Sequence, residues 1–153
     1  MKLSELLAPD RVVAPLEAED KWVAIRRLAA CAATSGAMPE AALGAVEDAL
    51  ITRERSMTTG MEHGIAIPHA AVDGLPDVLA VLGLSPQGIP FETLDGSPAQ
   101  IIVCLIIPRD KKLLHIKTLA EIAKLLGRVE VRERLIAADT GASALEAIRD
   151  SDG

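Results

Sequence analysis

The chain has 153 residues, half of them apolar and a quarter charged, the size and composition of one ordinary globular domain, which excludes intrinsic disorder. Its formal charge is −6 and no run of Lys or Arg exceeds two residues, so no counterion-releasing nucleic-acid surface is present. One Trp, one Phe and no Tyr exclude a base-stacking platform and leave the core to Leu, Ile, Val and Ala.

In chain order, the first expected element is a short helix with Ser4 as its N-cap before Glu5-Leu6-Leu7, stopped by Pro9. Residues 11–16 read as a short extended segment. Apolar residues at Trp22, Val23, Ile25, Leu28, Ala29 and Ala32 predict a helix over about 19–34, ended by Gly36. Pro39 opens a second long helix, with Leu43, Val46, Leu50 and Ile51 at helical spacing.

After Arg55 the pattern changes. Residues 56–64 hold two glycines and short polar side chains, a loop that feeds the extended piece Ile65-Ala66-Ile67, which Pro68 stops. Residues 78–84 and 100–107 are apolar runs rich in branched side chains, as buried strands are. Between them Pro86, Gly88, Pro90 and Asp95-Gly96 mark turns around a hairpin strand near 89–93. Three helices, over about 112–126, 130–138 and 142–148, complete the chain. The expected fold is a single α/β domain over 1–153, a small mixed sheet of about five strands flanked by helices.

The N-terminus carries Glu5, Asp10 and Arg11 where a signal peptide needs an unbroken apolar run, and the stretch 101–108 is far too short to span a bilayer. A cytoplasmic protein without direct membrane insertion is therefore expected. Cys31 and Cys104 form no CxxC pair, sit in apolar stretches, and read as small buried hydrophobes in a reducing compartment.

Chemistry concentrates at the histidines. Only His63, His69 and His115 exist, and two of them lie on one loop-and-strand segment. Pro68 has a fixed φ and no N–H, so it ends a strand and presents His69 where a rigid element meets a glycine-rich loop. Imidazole near neutral pH serves as nucleophile, base or metal ligand. By residue type alone, a surface histidine after a turn is equally consistent.

Arg53-Glu54, then Thr59-Gly60, then the unbroken run Gly64-Ile65-Ala66-Ile67-Pro68-His69, resemble the signature of the enzyme IIA domains of the fructose–mannitol class. These belong to the phosphoenolpyruvate-dependent phosphotransferase system and include the nitrogen-regulatory enzyme IIA proteins, the nearest branch. Pro108 at a strand end and His115 in the context His115-Ile116-Lys117-Thr118-Leu119 match as well, and the likeness extends over about 3–148.

The resemblance implies a phosphohistidine carrier. His69 accepts a phosphoryl group from a histidine-phosphorylated carrier protein, HPr-like or its nitrogen-branch counterpart. His115 steadies that group, and Arg53 offers a forked, permanently charged donor to its oxygens. Thr58, Thr59, Gly60 and Gly64 form the phosphoryl loop. No cofactor or metal is implied, since the phosphoryl donor is itself a phosphohistidine. Downstream, the resemblance implies either regulatory protein targets or a sugar permease component, with regulation preferred.

The chain departs from the family pattern at Gly60-Met61-Glu62-His63-Gly64, where Glu62 replaces a central glycine, and at Ala70, where a glycine usually follows the histidine. A carboxylate at 62 repels a phosphoryl group if it points inward and has no effect if it points to solvent. Two other readings stay open at this stage: a binding module of the same fold that does not use the phosphate, and a metal site from Glu62, His63, His69 and His115. For His115 alone, a hydrogen-bonded core histidine is a further alternative, because it shares a helical face with Leu119, Ile122 and Leu126.

Overall fold

Two long apolar strands form the centre of the computed structural model, which describes residues 2–152, with Lys112 and Leu114 described by backbone alone. Met1 and Gly153, the ends of the expected domain, lie outside the described residues. Strand β4 (Leu79–Ile89) pairs antiparallel with β5 (Ala99–Pro108), and the short β1 (Val12–Val13) adds to β4 in parallel. On the other side of β5 lie β2 (Ile65–Ala66) and β3 (His69–Val72), both parallel to it. The result is the expected mixed five-stranded sheet.

Period-two alternation along β5 explains its continuous apolar run. Ile101, Val103, Leu105 and Ile107 point into one core; Ile102, Cys104 and Ile106 point into another. The first core is covered by α1 (Leu3–Leu6), α4 (Lys112–Leu126), α5 (Val129–Ala137) and α6 (Gly141–Asp152). The second is covered by α2 (Lys21–Thr34) and α3 (Leu43–Ser56). A strand buried on both faces has no use for polar alternation, and the sequence shows none.

Several local expectations are corrected. Ser4 lies inside α1 rather than capping it; its N–H and hydroxyl both donate to the Asp152 carboxylate at 2.9 Å, tying the first helix to the last. Pro39 precedes a single 3₁₀ turn (Glu40–Ala42), and α3 starts only at Leu43. The extended segment near 11–16 reduces to Val12–Val13, with Arg11 in a 3₁₀ turn. The turn signals at Ser85-Pro86-Gln87-Gly88 do not end a strand: β4 runs through them to Ile89, with its pairing register shifting between Leu84 and Ile89. An irregularity in the ladder accommodates Pro86 and the positive φ of Gly88, which sequence alone reads as a reversal. The hairpin strand expected near 89–93 does not form on its own: Ile89 ends β4, and residues 90–98 form a loop. Cys104 is buried as expected, with its thiol pushed up to about 12 by desolvation. Cys31 is only half-buried, and its thiol donates to the Asp10 carbonyl at 3.4 Å.

The correction that matters most for the site concerns Pro68. It does not end the extended chain. Ile65 pairs with Ile101 and His69 with Leu105, the same register on both sides of the proline. Pro68 lacks an N–H, so the ladder breaks there, yet its carbonyl still accepts from Leu105 at 2.9 Å. His69 therefore opens a strand held by β5 instead of trailing from the end of one.

Candidate functional site

His69 lies on the sheet edge formed by β3, with Ala70 and Val72 turned toward α2 and α3. Alternation puts His69 on the opposite face, with Ile65 and Ile67, where α4 crosses and brings His115. The two imidazoles meet edge to face, with ring centroids 5.0 Å apart and an interplanar angle of 70°. Arg53, in the last turn of α3, completes the group and lines the cleft on both sides of His69. The structure thus brings together three residues that are far apart in the chain.

The protonation of His69 follows from its surroundings. Nδ1 lies 2.7 Å from the Ile67 carbonyl oxygen, which can only accept, so Nδ1 carries the hydrogen and Nε2 the lone pair. Partial burial pushes the imidazole pKa below its ordinary value of 6.5; the bond to Ile67 and the Glu54 carboxylate oppose the shift, and the Arg53 charge adds to it. The pKa of His115 is lowered too, by burial first, then by His69 and Arg53. Its Nε2 is buried and has no hydrogen-bond partner among the described residues. His115 is therefore not a hydrogen-bonded core histidine but a half-exposed ring with an unused polar atom beside His69.

Arg53 spends Nη1 on the Met57 carbonyl at 2.8 Å, which closes the end of α3, and the rest of its fork has no protein partner among the described residues. The loop residues are placed differently from one another. Thr58, Thr59 and Gly60 border the His69 cleft on the side of Leu94 and Leu119. Their hydrogens are already engaged: the Thr58 hydroxyl donates to the Glu92 carbonyl, the Thr59 hydroxyl to Glu54, and the Gly60 N–H to Thr58 Oγ1. Gly64 does not line the cleft. It turns with φ +72°, and its carbonyl accepts from Gln100 and Ile101, pinning the loop to β5.

Gly60 has a specific steric reason to be glycine. A Cβ there would be driven into the backbone carbonyl of Glu92. Gly60→Ala is expected to lower stability by about 1–3 kcal/mol, seen as a reduced urea midpoint with an unchanged slope.

Glu62 and His63 stand apart from this group. Their side chains are 63% and 55% exposed, and neither lines the His69 cleft. His63 adopts φ +64° with its N–H donated to Asp95, so the loop tip is tied to the 90–98 loop and turned outward. Among the described residues no three His, Cys, Asp or Glu side chains are grouped as a metal ion requires. No helix among them is long and apolar enough to cross a membrane. One residue of the family signature received no role from the sequence reading. Glu54 is 2% exposed, and a lone glutamate in a polar helix end carries no local sign of burial.

Both imidazoles have depressed pKa values, and the sign of the linkage follows. Above about pH 6.5 folded and unfolded chains both hold neutral rings. Below it the unfolded chain binds protons that the folded one resists, so stability is complete above 6.5 and is lost as pH falls through the lowered folded values. The urea midpoint is expected to fall between pH 7 and pH 5, and to fall less in His69→Ala and His115→Ala. An equal fall in all three proteins would assign the loss to other groups.

Comparison with known proteins adds identity to this geometry. The family described as "Phosphoenolpyruvate-dependent sugar phosphotransferase system, EIIA 2" matches residues 5–151. A nitrogen regulatory protein of Bradyrhizobium diazoefficiens is 32% identical over 135 residues, covering 88% of this chain and 86% of that one. The fructose-specific EIIABC component of Bacillus subtilis is 28% identical over 99% of this chain, which spans 24% of that protein. Among solved structures, the nitrogen regulatory protein IIA-Ntr of Neisseria meningitidis superposes with a TM-score of 0.84 at 20% identity, covering 95% of this chain and 98% of that one. The mannitol IIA of Escherichia coli does so at 0.78 and 22%, covering 93% and 98%.

Proposed function

Because the chain belongs to the EIIA 2 family of the phosphoenolpyruvate-dependent sugar phosphotransferase system and is thereby a phosphoryl-carrying component of it, we propose that His69 is the residue that carries the phosphoryl group. The observation that carries this assignment is the bond from His69 Nδ1 to the Ile67 carbonyl, which leaves Nε2 as the one ring nitrogen with a lone pair.

In the proposed step, Nε2 attacks the phosphorus of a phosphohistidine on a carrier protein of the HPr type or its nitrogen-branch counterpart. The donor N–P bond breaks as the Nε2–P bond forms, and the donor imidazole leaves with the electron pair. Nδ1 keeps its hydrogen throughout. The transition state is loose, with charge spread over three equatorial oxygens, so the protein contributes position and electrostatics. Arg53 supplies the charged fork. His115 contributes a ring N–H from Nε2, an atom otherwise without a partner. Thr58, Thr59 and Gly60 shape the loop beside the phosphoryl group, with their donors engaged internally until a phosphoryl oxygen competes for them. Gly64 acts from outside the cleft by holding the loop to β5. The outward Glu62 leaves this arrangement undisturbed.

The receiving partner is a regulated protein or a sugar permease component. Relatives named nitrogen regulatory proteins favour the first. The fructose-specific relatives, and the solved complex of mannitol IIA with phosphorylated IIB from Escherichia coli, illustrate the second.

The test is incubation with phosphoenolpyruvate and the two upstream phosphotransferase proteins, followed by intact mass. One phosphoryl group is expected, lost in acid and retained in alkali. No mass increase with active upstream proteins overturns the assignment.

A further inference from the structure

Glu54 and Lys21 form a buried charged pair that the phosphoryl step does not touch. The Glu54 side chain is 0% exposed and that of Lys21 7%, with 3.4 Å between Lys21 Nζ and Glu54 Oε2. Lys21 also reaches Glu92 at 3.1 Å and lies near the rings of Trp22 and Phe91. Burying a carboxylate is costly, and one that sits on the last turn of α3 beside a reactive loop is held there by specific partners.

Those partners lead to His69. Both Glu54 oxygens accept from Thr59: Oε2 from the backbone N–H at 2.8 Å, Oε1 from the hydroxyl at 2.6 Å. The Thr59 carbonyl accepts from the Ile67 N–H at 3.2 Å. The Ile67 carbonyl accepts from His69 Nδ1 at 2.7 Å. A run of hydrogen bonds therefore joins the buried carboxylate to the imidazole through two residues, Thr59 and Ile67. Ile67 needs this anchor, because it lies where Pro68 breaks the ladder to β5. On its loop side it is held by Thr59, and Thr59 is held by Glu54.

We propose that Glu54 is a positioning residue for His69, fixing through Thr59 the Ile67 carbonyl that selects the Nδ1–H tautomer and keeps the Nε2 lone pair in the cleft. The inference rests on His69 being the phosphoryl acceptor. Glu54 touches neither the phosphoryl group nor its donor; it acts by keeping one acceptor in place.

The deciding variant is Glu54→Gln, which keeps the shape but replaces one acceptor with an NH₂ group that cannot accept from Thr59. Thr59→Val removes the hydroxyl bond alone and serves if Glu54→Gln fails to fold. The ¹⁵N spectrum of the His69 ring reports the tautomer directly. The kinetics of phosphoryl uptake from the phosphorylated carrier protein separate kcat from KM. In a folded Glu54→Gln protein the Nε2–H tautomer is expected to appear, kcat to fall about tenfold, and KM for the carrier to stay within about twofold. Thr59→Val is expected to shift both readouts the same way by a smaller amount. A folded variant that keeps the pure Nδ1–H tautomer and wild-type kcat overturns the proposal. So does a loss confined to KM, which would place Glu54 in carrier binding. If wild-type protein shows the Nδ1–H tautomer but takes up no phosphoryl group, the carrier assignment fails, and the link from Glu54 to the tautomer is still decided by the spectra.

Discussion

Replacing His69 by alanine is expected to end phosphoryl uptake completely while leaving the fold intact. The side chain is half-buried, and its one hydrogen bond is to a backbone carbonyl at a strand edge, so its removal leaves no buried charge and only a small void. Under the proposed assignment no other residue replaces His69 as nucleophile. His63 is on the exposed loop tip and does not line the cleft, so His63→Ala should label as wild type does. Arg53→Ala and His115→Ala should slow uptake without abolishing it, because each removes a donor while the nucleophile remains. Loss of one well-placed donor is worth about 3 kcal/mol in the barrier, or roughly a hundredfold in rate. Intact mass at a fixed time reads the first variant and quenched time courses read the others. Normal labelling of His69→Ala would move the acceptor elsewhere.

The largest stability effect is expected at Lys21. Lys21→Met leaves the Glu54 carboxylate buried without its cation, still bonded to Thr59 but uncompensated in charge. Breaking a buried pair in this way costs about 3–5 kcal/mol. For a domain of this size that amounts to a fall in Tm of roughly 6–20 °C. Combining Lys21→Met with Glu54→Gln removes both charges, and the double variant should be more stable than the two single losses predict when added. Urea unfolding of the four proteins measures the coupling. Additive losses would show that Lys21 stabilises through its stem and the Trp22 and Phe91 rings, not through Glu54.

Much of this molecule was legible in one dimension. The helical stripes from Trp22 to Ala32 and from Val46 to Ile51, and the double-faced apolar run that became β5, are local consequences of burial periodicity. Their boundaries fell close to where the residues placed them. The run from Gly64 to His69 marked the site because its residue types serve a backbone purpose as well as a chemical one. Gly64 supplies a positive φ, Pro68 opens the ladder, and His69 follows it directly. Where the reading failed, a longer-range contact had overruled a local signal. Ser4 has the residue type of a cap but reaches Asp152 at the other end of the chain. Pro86 and Gly88 look like a turn, but β5 holds β4 on both sides of them.

By itself, then, the sequence determined the α/β layering, the family, and which histidine follows the Gly64 to Pro68 run directly. Those depend on period, composition and short spacing, which are properties of neighbours along the chain. Tertiary structure alone decided which nitrogen of His69 is free, that His115 approaches within 5.0 Å of it, and that Glu54 is buried against Lys21 under the loop. Tautomer choice depends on one acceptor at 2.7 Å, and a buried charge is tolerated only where a partner from another helix meets it. The charge pair and the approach of His115 are set by how α2, α3 and α4 pack around the sheet, and the spacing of residues along the chain does not encode distances between elements that far apart. The acceptor for His69 is only two residues away, but the backbone geometry that aims it is fixed by the fold.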